Sequence, residues 1–140
     1  MLNVFSQIEP EKLIFTMIKK HEITSGRKNL TPDEEFLQVG VKKASSGDYF
    51  KPHKHLACDK RVTITQEAWV ILNGKAQGTF YDLDNTKIHS VTLNDGDCVV
   101  IYNGGHSLEI LEDDTILYEF KNGPYFGPEK DKTFLRGDDE

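Results

Sequence analysis

Along the first part of the chain, Leu13, Ile14, Met17 and Ile18 recur at helical spacing, and Pro10 suits the first turn of a helix. The pattern predicts one amphipathic helix over 6–20, followed by a loop over 21–35 in which Gly26, Asn29, Pro32 and Asp33 favour turns. From residue 36 the period changes to strict alternation. Leu37, Val39 and Val41 face one way, and Gln38, Gly40 and Lys42 the other, which is the pattern of a half-buried strand. A second strand over 67–72 runs into Asn73-Gly74, a short-range hairpin signal, so 75–82 is expected to be its partner. Further strands are expected at 88–93, 98–102, 107–111 and 115–121, with turn residues between them: Asp84-Asn85, Asn94 to Asp97, Asn103 to Gly105 and Glu112 to Asp114. Short antiparallel strands at close intervals behind one N-terminal helix predict an all-β protein, a jelly-roll type barrel over 36–121. The Gly123-Pro124 pair ends the last strand and sends a tail, 122–140, across the barrel as a lid or a contact with a second copy.

Size adds that 140 residues suffice for one domain with a real core. Charge narrows the partners. With 23 acidic and 17 basic residues, net −6, there is no basic footprint for nucleic acid or an anionic membrane. No apolar run approaches a membrane span, and the N-terminal stretch lacks the apolar core of a signal peptide, so the expected location is cytoplasmic. The two cysteines, Cys58 and Cys98, are too few for a disulfide scaffold. Cys98 alternates with Val99 as a small core residue would, while Cys58 lies in the inserted stretch 56–66, where a reactive or ligating thiol is conceivable.

Four residues carry metal-binding chemistry. His53 and His55 stand two apart, and on a strand they would face the same side. Glu67 shares a face with Trp69 and Ile71, so it points inward, where a carboxylate needs compensation that a metal could give. His106 follows the Asn103-Gly104-Gly105 turn at a strand entrance. Three imidazoles and a carboxylate suit one divalent transition ion, Zn, Fe, Mn, Ni or Cu, with positions left for water, substrate or dioxygen. His21, at a helix end, and His89, on a hairpin, have the setting of plain surface histidines. Tyr81 and Tyr102 could offer hydroxyls to a ligand, although Tyr81, Tyr102 and Tyr125 are equally the kind of residue that packs a barrel wall.

The same residues resemble the cupin superfamily. Gly47 to His55, then Glu67, then Gly74 is similar to the first cupin motif, and Gly96-Asp97 through Asn103-Gly-Gly-His106 echoes the second. The chain departs from the pattern in the long spacing of residues 56–66 between His55 and Glu67, and in a second motif one residue short with Tyr102 near the usual proline. More narrowly, Arg27-Lys-Asn29-Leu30, Pro52-His-Lys-His55 and Tyr118-Glu-Phe-Lys-Asn-Gly-Pro-Tyr125, followed by Lys130-Asp-Lys132, look like the WbuC-type cupin-fold metalloproteins found with genes for O-antigen and other surface polysaccharides. That resemblance implies a metal-binding protein acting on a sugar or nucleotide sugar in surface polysaccharide synthesis; an ion that polarises a carbonyl and holds adjacent hydroxyls would favour isomerisation or epimerisation. It also adds Arg27 and Asn29 as candidates to hold a ligand hydroxyl or phosphate, against the simpler role of tying down their own loop. Two further readings stay open: an iron dioxygenase, and a small-molecule binding module without turnover. Sheet edges of such barrels can pair between copies, so a homodimer is a further expectation.

Overall fold

The computed structural model describes residues 1–135. Its elements are β1 (Leu2–Phe5), β2 (Leu13–Ile18), a short 3₁₀ turn (Lys20–Glu22), β3 (Gly26–Asn29), β4 (Gly40–Lys43), β5 (Glu67–Asn73), β6 (Lys75–Tyr81), β7 (Lys87–Asn94), β8 (Cys98–Ile101), β9 (Gly105–Ile110), β10 (Ile116–Lys121) and one helical turn, α1 (Pro128–Asp131). The protein is therefore mostly β, with antiparallel pairing in every ladder described.

The helix expected over 6–20 is not formed. Leu13–Ile18 is a strand, with Phe15 opposite Ile101 and Ile18 opposite Cys98 in β8. The reason is burial on both faces. Every residue of β2 is buried, so its sequence is a continuous apolar run, and such a run carries no period that separates a strand from a buried helix. Cys98–Ile101 is buried throughout for the same reason.

The strands do not close into the expected barrel. Among the described residues they form a five-stranded sheet ordered β1-β2-β8-β5-β10, a three-stranded sheet ordered β7-β6-β9 and a two-stranded ribbon of β3 and β4. Alternation along β5 and β8 divides the interior. Trp69, Ile71, Val99 and Ile101 pack with Phe15, Phe80 and Leu93 between the two larger sheets. Ala68, Cys98 and Val100 pack on the other face with Leu30 and Tyr102, beneath Val39 and Val41 of the segment that leads into and forms β4. The central sheet is thus a middle layer. Phe15 and Phe80 stack across the first interface with ring centroids 3.9 Å apart.

The Asn73-Gly74 turn is not a hairpin either. β5 pairs with β8 and β10, whereas β6 pairs with β7 and β9, so the chain crosses from one sheet to the other at Gly74. Gly74 has φ 88°, and a Cβ there would lie 2.3 Å from the Thr115 hydroxyl. Glycine is required at that corner because two connections pass in contact. Hairpin chemistry is found instead between β6 and β7, where Asn85 takes φ 70° and the buried Asp82 carboxylate accepts from the Leu83 and Gln7 amides at 2.8 and 2.7 Å. The second of those bonds ties the β1–β2 connection to the outer sheet.

Candidate functional site

β5 begins at Glu67, opposite Ile101 of β8 and Lys121 of β10. Its parity with Trp69 and Ile71 turns the carboxylate into the space between the two larger sheets, where it is only 7% exposed. β9 approaches from the other sheet with His106 paired to Phe80 of β6. The two strands meet at the open end of the interface.

Glu67 Oε2 lies 3.7 Å from His106 Nε2 and 3.4 Å from Lys121 Nζ, while Oε1 accepts the indole N–H of Trp69. The Trp69 and His106 rings meet edge to face, 5.2 Å between centroids. Burial by itself would raise the Glu67 pKa; His106, the Trp69 indole and the Lys121 charge outweigh it and hold the carboxyl at about 2. At neutral pH it is an anion. Lys121 also reaches Glu119 Oε1 at 3.2 Å and Asp131 Oδ2 at 3.5 Å. Its desolvation is outweighed by Glu119, Glu67 and Asp131, which drive its pKa up and keep it charged. Three carboxylates around one ammonium leave a local excess of negative charge. Asp131 comes from α1 in the tail, and its other oxygen accepts from the Thr65 hydroxyl at 2.9 Å, so the tail reaches this end at α1, while residues 136–140 lie outside the described residues.

The four expected ligands stand in two pairs. Glu67 and His106 form one. His53 and His55 form the other, in the exposed irregular stretch between β4 and β5, with rings 5.6 Å apart and edge to face. The strand that would have aligned them is absent. His53 Nδ1 lies 2.9 Å from the Lys51 carbonyl, so that nitrogen donates and, in the neutral ring, Nε2 is the one with a lone pair to offer. Among the described residues no group of three or more His, Cys, Asp or Glu is gathered closely enough to hold a metal.

The other candidates separate by location. Arg27 donates to Asn29 Oδ1 at 2.9 Å on exposed β3, which is the loop-tying role. Tyr102 is 1% exposed in the second core layer, and its hydroxyl donates to the Leu30 carbonyl at 3.3 Å, on the face of the sheet away from Glu67. Tyr81 ends β6 opposite Gly105, one residue from His106. His21 is exposed, whereas His89 is half-buried and lies 5.8 Å from the Phe15 ring, so it packs more than a surface histidine would. Cys98 is buried, its thiol pushed up to about 11 by burial, while Cys58 is exposed. Trp69, Lys121 and Asp131 were missed by the sequence reading. The signal for Lys121 was present, since it shares the inward parity of Leu117 and Glu119 on the last strand.

Profiles of known protein families, curated proteins and solved structures all return no match to this chain. Among the described residues no helix is long and apolar enough to cross a membrane.

Proposed function

We propose that this chain is a cupin-type metal-binding protein in which Glu67, His106, His53 and His55 hold one divalent transition ion, and that it acts on a sugar or nucleotide sugar by isomerisation or epimerisation. The observation that carries the reading is the buried, ionised Glu67 beside His106, in a charge cluster where three carboxylates surround one ammonium. The donor chemistry suits the ion: an anionic oxygen, an imidazole 32% exposed at the mouth, and a histidine pair in which His53 Nε2 is left free. Bound there, the ion would act as a Lewis acid on a carbonyl and its neighbouring hydroxyl. In the metal-free chain Lys121 supplies part of the compensating charge, so uptake has to compete with that ammonium.

The test is titration of chelator-treated protein with Zn(II), Mn(II) and, without oxygen, Fe(II), following stoichiometry and the imidazole proton resonances. One ion per chain, with the His53, His55 and His106 resonances all shifted, is expected. Absence of uptake of any of the three ions sinks the proposal. Proton exchange next to the carbonyl of a candidate sugar then tests the reaction class.

A second copy of the chain is the proposed protein partner. β10 is an edge of the five-stranded sheet, and Tyr118 and Phe120 on its outer face are 57% and 50% exposed. Phe120→Asp is expected to shift a dimer to monomer in sedimentation velocity; a wild type that is monomeric at high micromolar concentration would dismiss the dimer.

A further inference from the structure

A groove of about 740 Å³ opens at the other end of the central sheet, lined by Lys20, His21, Lys42 and Lys43 on one side and by the Asn94–Asp97 turn on the other. It is remote from Glu67. Lys19 and Lys20 follow β2 just beyond Ile18, which pairs with Cys98, whereas Glu67 pairs with Ile101 at the far end of β8. The volume falls in the range of small-molecule sites.

Of the two acids that line this groove, Asp95 and Asp97, the second is already committed. Asp97, 3% exposed, is met by Lys19 Nζ at 3.2 Å and accepts the backbone N–H groups of Lys20 and Asn94, both at 2.9 Å. Lys19 spends its charge there and on the Thr92 carbonyl at 2.6 Å. Lys20 and Lys43, by contrast, make no ion pair among the described residues. The stem of Lys20 lies against Gly96, where a Cβ would come within 2.5 Å of it. Lys42 lies over the Phe50 ring at 4.1 Å. An adjoining cavity of about 240 Å³ shares Lys42 and Lys43 and adds Arg27 and Phe50, whose ring is 59% exposed.

In a chain of net charge −6, this gathers Lys20, Lys42, Lys43 and Arg27, none of them in an ion pair among the described residues, against the two remaining lining acids Asp95 and Asp48, beside an aromatic face. Like charges brought together repel unless an anion joins them, and lysine is a point-charge partner for phosphate. We infer that this groove is a second ligand site that binds the phosphate groups of a soluble phosphate ester or nucleoside diphosphate, with the organic part resting on Phe50. The inference uses none of the proposed metal ligands and stands or falls apart from them.

Isothermal titration calorimetry with inorganic pyrophosphate and with uridine diphosphate, at low and at physiological salt, tests it. Both probes are expected to bind, more weakly as salt rises, and the Lys20→Gln/Lys43→Gln double variant is expected to lose affinity on the order of tenfold or more. Both side chains are exposed, so the thermal midpoint of the double variant should match wild type. Phe50→Ala should weaken uridine diphosphate and leave pyrophosphate unchanged. Failure of both probes to bind, or equal binding by the double variant, overturns the site. So does binding confined to phosphatidylglycerol vesicles or to single-stranded oligonucleotide, which would make the groove a membrane or nucleic-acid surface instead.

Discussion

Glu67→Gln is expected to abolish metal uptake, beyond the roughly 10–100-fold that loss of an outer partner of a ligand costs. It should also change how stability depends on pH. The folded carboxyl titrates near 2, below its ordinary 4.5, because Lys121, His106 and the Trp69 indole favour the anion. Its stabilisation is therefore complete above pH 4.5 and is lost as pH falls through 2. Lys121 and His106 are partly exposed, which screens the effect to on the order of 2 kcal/mol at neutral pH. In urea titrations of metal-free protein, Glu67→Gln should be less stable at pH 7, and the gap to wild type should close toward pH 2. A gap that is independent of pH would show that the carboxylate is not held as an anion by these partners.

Phe15→Ala and Phe80→Ala should each lower stability by about 3–5 kcal/mol, since both rings are fully buried and stacked. The double variant should fall short of the sum by about 1 kcal/mol, the coupling of an aromatic pair in contact. Urea denaturation of the four proteins measures this. The outcome discriminates between two structures: with 6–20 as a surface helix, Phe15 would have no partner in β6, and the two substitutions would add. Strict additivity would remove β2 from the core.

A strand with one face toward the interior and one toward less buried surroundings is legible in sequence, and β6 is the clearest case. In β6 the buried Ala76, Gly78, Phe80 and half-buried Gln77, Thr79, Tyr81 alternate, and that period survives in the sequence. β2 and β8 lie in the middle layer with both faces covered, and the period is erased. The two were still not read alike: Cys98–Ile101 lies between turn residues that bound a short strand, whereas Pro10 ahead of Leu13–Ile18 invited a helix. Gly74 misled for a related reason. The sequence shows that the chain must turn there with a positive φ, which a hairpin and a crossing between sheets both satisfy.

At the site, Glu67 was recognisable as an inward carboxylate from the parity of Trp69 and Ile71, and His106 from its place after a glycine turn. Their company was not. Lys121 becomes the partner of Glu67 through the β5–β10 register, and Asp131 arrives through the fold of the tail, neither of which leaves a mark in local sequence.

By itself, then, the sequence determined where the short strands and turns from residue 67 onward lie, that the protein is mostly β, that Cys98 packs inside, and which side chains have the chemistry to hold an ion. The tertiary structure decided what those strands pair with: a three-layer arrangement in place of a closed barrel, a buried strand in place of a helix, an ammonium beside the key carboxylate and a basic groove at the opposite end. The division follows from the physics. Turn preference and one-sided burial act between neighbours along the chain, whereas register, burial on two faces and the meeting of charges depend on segments far apart in sequence.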